Sequence, residues 1–313
     1  MAVLGVVIVT WNVRELALQT LSSLYEDLQA SGILARVVVV DSASSDGTPD
    51  AIAHAYPQVE LIACHDNVGF ARGNNIGLKH LGFLGGDGAQ GDAPPPFVYL
   101  LNPDTMTQVG ATQALLQVLQ SRRQVGVVGA RLSYGDGSFQ HGAFTFPTLA
   151  QLWAEFFPTH WRLREGRFNG RYPRALYAQS QPFEVDFPLG ATWMLRREVI
   201  EQVGAFDEAF FLYCEEVDWA WRIKRAGWRI MSVPSAHVVH FGGQSSSQVK
   251  PRSTLNLWQS RLLLYEKHYP RWKRWLAKKL IVLGMYQNIR RLPKEDTALR
   301  EVYQTIADLA GAP

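Results

Sequence analysis

Four polar clusters follow apolar runs along the first third of the chain, and their residue types suit the holding of a nucleotide and its phosphates. Thr10-Trp11-Asn12 follows the run Val3 to Val9. Asp41-Ser-Ala-Ser-Ser-Asp46-Gly-Thr48 follows Arg36 to Val40, and Asn67-Val-Gly69-Phe-Ala-Arg72-Gly-Asn-Asn75 comes after Val59 to Ala63. Asn102-Pro-Asp104-Thr follows Phe97 to Leu101. Each cluster alone has an ordinary explanation: Asp41 can cap a turn, Asn67-Val-Gly69 is turn chemistry, and Asp104 can open a helix. Placed at four successive strand ends, they form one rim, because ligands of open parallel sheets bind beyond the carboxyl ends of the strands. No GxGxxG and no GxxxxGK[ST] follows the first run, which removes the main support for a dinucleotide or P-loop site. The other way to hold a diphosphate is a divalent cation bridging it to a carboxylate.

Two further groups carry potential chemistry. Glu215-Glu216-Val-Asp218 opens a helical stretch; it offers a general base, although an acidic first turn also answers the helix dipole. Ser235-Ala-His237-Val-Val-His240-Phe-Gly-Gly243 places two histidines three apart on an apolar strand. They point to opposite faces and cannot both ligate one ion.

The elements that must position these residues are legible from periodicity. Val3 to Val9 and Arg36 to Asp41 are continuous β-branched runs, expected of strands covered on both faces. Helical spacing marks Arg14 to Leu28, Thr48 to Ala55, Ala71 to Leu81, Thr112 to Arg122 and Glu215 to Ala226. Val59 to Ala63, Phe97 to Leu101, Val125 to Ala130 and Pro188 to Leu195 read as strands. This alternation predicts a parallel sheet with right-handed crossovers. Gly82 to Pro96, rich in Gly and Pro, reads as a solvent-exposed insertion, either a tolerated loop or a lid. Gly142 to Glu184 is aromatic and aperiodic, and no element is assigned to it.

In order and spacing, VTWN, VDSASSDGT, NVGFARGNN and LLNPDT resemble the nucleotide-binding half of family 2 glycosyltransferases. The likeness continues through GATWMLRRE, FDEAFFLYCEEVDWAWRIKRAGW and HVVHFGG, covers roughly residues 3 to 245, and is nearest to the rhamnosyltransferase-like branch. It implies an α/β fold of GT-A type: a Rossmann-like domain with a mostly parallel central sheet and a C-terminal helical appendage. It implies an inverting sugar transfer from a nucleotide diphosphate, guessed as dTDP- or UDP-linked, to a glycan or lipid-linked glycan acceptor in cell-surface polysaccharide or glycolipid assembly. Thr10 and Asn12 would line the base and ribose, Asp41 would accept a hydrogen bond from the base, and Asn67, Gly69 and Arg72 would shape the nucleotide side. Asn102 stands where the family's DxD-like element has its first Asp, Asp104 would bind the metal, and His240 would be its second ligand. Mn²⁺ or Mg²⁺ suits that oxygen-and-imidazole set. The base would be Glu216, the second acid of a pair that the family writes Glu-Asp, with Asp218 and Glu215 as substitutes. Gly190, Ala191 and Trp193 would meet the acceptor, although Trp193 could equally be a core residue.

The composition is that of a globular chain, 47% hydrophobic and 19% charged, which excludes wholesale disorder. The two cysteines, Cys64 and Cys214, form no CxxC pattern and suit a reducing cytosol. The opening residues lack a basic leader, and no run of 18 apolar residues occurs, so neither a signal peptide nor a spanning helix is expected. Lys250 to Arg291 holds 11 Lys and Arg against Glu266 alone; with +3 over the whole chain, the remainder carries −7. The expected division is a catalytic domain over 1–248, its nucleotide half near 1–130 and its acceptor half near 131–248, followed by a basic, aromatic-rich tail over 249–313. That tail suits either peripheral attachment to an anionic membrane on the cytoplasmic face or packing on the body; nucleic acid is not expected, since no recognition motif accompanies the charge. Two rival functions remain at this point: a sugar-nucleotide nucleotidyltransferase, which should carry a Gly-rich basic loop after the first strand, and an inactive carbohydrate-binding protein on the same fold.

Overall fold

A computed structural model describes residues 3–85, 93–160, 166–242, 250–293 and 295–312. The first half alternates as expected: β1 (Leu4–Thr10), α1 (Arg14–Ala30), β2 (Ala35–Asp41), α2 (Thr48–Ala55), β3 (Glu60–Ala63), α3 (Gly69–His80) and β4 (Phe97–Leu101). Then come β5 (Thr105–Thr107), α4 (Ala111–Ser121), β6 (Val125–Ser133), β7 (Phe139–Gln140), β8 (Ala143–Phe144), α5 (Leu149–Phe156), α6 (Arg174–Tyr177), β9 (Phe183–Glu184) and β10 (Phe187–Pro188). The chain continues with β11 (Thr192–Arg196), α7 (Arg197–Val203), α8 (Glu215–Arg225), β12 (Arg229–His240), α9 (Lys250–His268), α10 (Arg271–Arg291) and α11 (Thr297–Gly311).

Among the described residues the main sheet has ten strands, ordered β3-β2-β1-β4-β11-β6-β12-β5, with β7 beside β6 and β9 beside β12. β1 runs parallel to β2 and β4, while β11 enters antiparallel between β4 and β6. The β-branched runs are explained by cores on both faces. Leu4, Val6, Ile8, Val37 and Val39 enter one core, and Val7, Val9, Val38 and Val40 enter the other, as the two-residue period of a strand requires.

Several details depart from the sequence reading. The strand expected over Pro188 to Leu195 is interrupted: β10 ends at Pro188, Leu189–Ala191 turns, and β11 begins at Thr192. The stems of the 82–96 segment are not wholly exposed, because Phe83 is buried and the carbonyls of Pro94 and Pro96 accept hydrogen bonds from Arg197. Its centre, 86–92, and the expected boundary at 248/249 lie outside the described residues.

The three C-terminal helices form a third core with α5, built on Leu152, Phe156, Trp258, Tyr265, Ile281, Met285 and Ile306. A buried aliphatic side chain such as Ile281 contributes roughly 1.5–3 kcal/mol, so a core of this size holds the helices firmly to the body. Lys267 and His268 of α9 also reach Asp218 of α8, at 2.6 and 2.8 Å.

Candidate active site

A cleft of about 670 Å³ opens at the carboxyl ends of β1, β2 and β4. Its lining includes Thr10, Ser42, Asn67, Gly69, Asn102 and Asp104 from the strand ends, together with Gly190, Ala191, Tyr213, Glu215, Glu216 and His240. The strand-end rim is therefore real, but its members do different jobs.

At the ends of β1 and β2, several polar groups build the wall from behind. Asp41 is only 1% exposed; its carboxylate accepts from Thr10 Oγ1 at 2.9 Å, from Ser44 Oγ at 2.6 Å and from the Ser44 backbone N–H at 2.8 Å. It thus holds the 41–48 turn and presents almost no surface for the base contact expected of it. Asn12, in the left-handed region at φ 51, accepts from the Ser45 N–H at 2.7 Å and joins β1 to that turn. Arg72 points outward, half exposed, with Glu208 at 4.0 Å. Asn12, Asp41 and Arg72 lie beside or behind the cleft surface, unlike Thr10, Asn67 and Gly69. The Asn67 side-chain oxygen, Oδ1, accepts from Ser42 Oγ and from the Gly69 N–H. Gly69 has φ +76 and lies against the Phe211 carbonyl and ring, so a side chain there would be strained and would clash.

Asp104 and His240 meet. The β5–β12 pairing sets His240 opposite Thr105, next in sequence to Asp104, and His240 Nε2 lies 3.4 Å from Asp104 Oδ1. Both residues are 6% exposed. His240 Nδ1 donates to Gln140 Oε1 at 3.2 Å, which orients the ring with Nε2 toward the carboxylate. His237, as its opposite-face position requires, reaches Ser133 instead. The Asn102 side-chain oxygen is buried at this cleft wall without a hydrogen-bond partner among the described residues. Among the described residues, no third His, Cys, Asp or Glu joins this pair. One carboxylate and one imidazole suit a Mg²⁺ or Mn²⁺ that completes its shell with phosphate oxygens and water.

The acidic helix is aimed by strained backbone. Tyr213 and Cys214, immediately before α8, both take positive φ, 69 and 64; for residues with a Cβ each costs about 1–2 kcal/mol. That turn delivers Glu215 and Glu216 to the cleft. Each keeps a buried carboxylate oxygen with no hydrogen-bond partner among the described residues. Burial pushes the Glu216 carboxyl up to about 7, and burial together with the Glu216 charge raises Glu215 well above the usual range. Asp218 is the opposite case. It is fully buried and held by Arg222 Nε at 2.9 Å as well as by Lys267 and His268. Burial alone would raise its carboxyl, but these hydrogen bonds outweigh it and hold the group far below the carboxylate range. Asp218 is therefore a structural charge hub and is withdrawn as a substitute base.

Next to the acidic helix, Gly190 sits against Glu216: a Cβ there would lie 3.8 Å from the Glu216 Cγ and Cδ. Trp193 is corrected to a core residue. It is 1% exposed, stacks on Trp219 at 5.8 Å and donates its indole N–H to the Pro188 carbonyl. Sequence reasoning missed Gln140, Tyr213, and the Arg252, Ser253 and Asn256 that α9 contributes to the cleft wall. The adjacent positive-φ residues leave no composition signal, whereas Arg252 could have been noticed as a polar residue opening the tail.

A cleft at the strand ends, carrying a carboxylate–imidazole pair and an unpaired acid, is the arrangement of a sugar-transferring enzyme on a GT-A-like fold. The model for "Glycosyl transferase family 2" matches residues 5–204, and the chain belongs to that family, in its rhamnosyltransferase-like branch. It is 30% identical over 264 residues to the N-acetylglucosaminyl-diphospho-decaprenol L-rhamnosyltransferase of Mycobacterium tuberculosis, covering 81% of this chain and 83% of that one. Among solved structures, GalNAc-T7 with UDP, GalNAc and Mn²⁺ matches with a TM-score of 0.60 at 16% identity, over 98% of this chain and 54% of that one. The Pyrobaculum calidifontis mannosyltransferase PcManGT, in complex with GDP-Man and Mn²⁺, matches with a TM-score of 0.53 at 19% identity, over 99% and 76%. The protein is thus a glycosyltransferase, and neither the nucleotidyltransferase nor the inactive alternative is retained.

Proposed function

We propose that the protein transfers a rhamnosyl residue, with inversion, from a dTDP- or UDP-linked donor to a hydroxyl of a lipid-linked glycan in cell-surface polysaccharide or glycolipid assembly. The observation that carries this reading is one cleft lined by Asp104 and His240, 3.4 Å apart, and by Glu216, a buried acid with an oxygen that has no hydrogen-bond partner among the described residues. Asp104 and His240 would hold a Mn²⁺ or Mg²⁺, which would offset the charge of the leaving diphosphate. Glu216 takes the proton of the acceptor hydroxyl as that oxygen bonds to the anomeric carbon, opposite the breaking bond to the diphosphate. A carboxyl poised near neutrality is matched to that task, since proton transfer is most efficient when the base titrates near the working pH. Gly190 leaves room for a sugar ring beside this carboxylate. Thr10, Asn67, Gly69 and Asn102 form the nucleotide side, with Asp41, Asn12 and Arg72 supporting it. The relative's name, which specifies a decaprenol-linked substrate, supports an acceptor presented at a membrane surface, with the enzyme peripheral on the cytoplasmic face.

The test is a donor screen with dTDP-, UDP- and GDP-sugars, a polyprenyl-diphosphate-linked glycan, and either Mn²⁺ or EDTA. Transfer from dTDP- or UDP-rhamnose that stops in EDTA and returns with Mn²⁺ is expected. Full transfer in EDTA would end the metal assignment, and turnover of GDP-sugars alone would end the donor assignment.

A further inference from the structure

The tail is not uniformly basic and aromatic once it is folded. Trp258 is 4% exposed, stacked on Phe156 at 5.2 Å, and belongs to the third core. On α10, Ala277, Ile281, Gly284 and Met285 form the buried face. The opposite face carries Trp272 (64% exposed), Trp275 (58%), Leu276 (37%), Leu283 (59%) and Tyr286 (44%). Positions 272, 275/276, 283 and 286 fall in one stripe at helical spacing, spanning about 21 Å along the axis at ~1.5 Å per residue. Exposed Lys279 lies within that stripe, and exposed Arg271, Arg290 and Arg291 lie at its ends. Beside it, a groove of about 560 Å³ runs between the start of α10 and the end of α11. Its lining includes Arg271, Arg274, Lys278 and Lys279 with Trp272 and Trp275. The acid that shares the groove, Glu266, is already paired with Arg274 at 2.6 Å.

Scattered single apolar residues on a surface need no explanation, but a continuous stripe does. The composition of this one selects its partner. Trp and Tyr have an apolar body and a polar tip, which suits the headgroup level of a bilayer, and cations around them match an anionic surface. Among the described residues no helix is long and apolar enough to cross a membrane, so α10 would lie along the interface. We propose that the exposed face of α10 is the membrane-docking surface of this enzyme, with Trp272, Trp275, Leu276, Leu283 and Tyr286 entering the headgroup region of an anionic phospholipid bilayer and the groove cations meeting lipid phosphates. The inference rests on the membrane-surface reading above and narrows it to one helix face.

The test uses full-length protein and flotation with vesicles of phosphatidylcholine alone or with 30% phosphatidylglycerol, alongside donor turnover in the same samples. Wild type is expected to float with the anionic vesicles and to release as salt rises, because screening shortens surface electrostatics to about 8 Å at physiological ionic strength. A Trp272→Ser, Trp275→Ser double variant should bind those vesicles about ten-fold or more weakly, with donor hydrolysis unchanged, since neither residue lines the catalytic cleft. A Trp258→Phe variant, altering the buried tryptophan, should still float. Wild type that stays soluble, or a double variant that floats like wild type, overturns the proposal. A dimer in sedimentation that the double variant abolishes would assign the stripe to a second copy, and tight duplex DNA binding at physiological salt would assign it to nucleic acid; either overturns the membrane assignment. Failure of the sugar-transfer reading would appear separately, as absent turnover in protein that still floats.

Discussion

Two faces of α8 treat the same functional group in opposite ways. Glu216 and Asp218 are two residues apart, which on a helix turns them about 200° from one another. The first faces the cleft, where one of its oxygens has no hydrogen-bond partner among the described residues, and burial lifts its carboxyl to about 7. The second faces α9, where Lys267 and His268 join Arg222 to hold it ionised. One carboxylate stays reactive at the expense of stability; the other is stabilising and chemically inert. The raised and the depressed carboxyl are distinguished here by what other elements bring to them, since the helix itself treats both as first-turn acids.

The largest expected effect comes from removing the reactive member. Glu216→Gln should lower transfer by about 100-fold or more while donor affinity stays within a few-fold, as general-base loss does. In the wild type, kcat/KM should rise with pH through about 7 as this carboxylate deprotonates. Single-turnover assays with a fixed donor would read both. If Glu216→Gln transfers normally, the contrast between the two faces has no catalytic meaning.

The second effect is on folding. Asp218→Asn leaves Arg222, Lys267 and His268 around a neutral side chain. Removing one partner from a buried ionic cluster costs about 3–5 kcal/mol, and the lower end applies because Arg222 and Lys267 are about one quarter exposed. Because the folded pKa is depressed, the wild-type contribution is present above the unfolded carboxylate value of about 3.9 and is lost as pH falls below it. Urea unfolding at pH 7 and pH 3 should show a large gap between wild type and Asp218→Asn at pH 7 that narrows at pH 3 without closing, because the folded carboxyl titrates far below that pH. A constant gap would locate the loss in packing instead.

The smallest effect sharpens the comparison from the other side. Glu216 has a raised folded pKa, so its ionisation disfavours the folded state as pH rises from about 4.3, the unfolded value, to about 7. Glu216→Gln should therefore be more stable than wild type at pH 8, by on the order of 1–3 kcal/mol, and indistinguishable near pH 4. Thermal melts across that range would detect it; a variant less stable at pH 8 would mean that the ionised carboxylate has a partner after all.

The sequence carried a good deal of this. Continuous β-branched runs ending in polar residues announced β1, β2 and β4 and the rim at their ends, because a strand covered on both faces must be apolar throughout and its end must meet solvent or ligand. The inventory of acids and histidines was legible too, as was the incompatibility of His237 with His240, which follows from the two-residue strand period. Elements of two or three residues, such as β5 and β7, were not, since periodicity needs several repeats to show itself. Yet β5 sets Asp104 beside His240, and β7 supplies the Gln140 that orients that ring.

Residue type and local spacing by themselves determined where the longer, periodic helices and strands form and which groups capable of chemistry exist. They left open which tryptophan is core and which is surface: Trp193 and Trp258 are enclosed, while Trp272 and Trp275 face outward. They also left open which first-turn acid stays reactive. Those outcomes were decided only by the tertiary structure, because burial and charge are properties of neighbours. His268 lies 50 residues from the Asp218 it holds, and the positive-φ turn at Tyr213 and Cys214 that aims Glu216 is sustained by the surrounding packing rather than by its own preference.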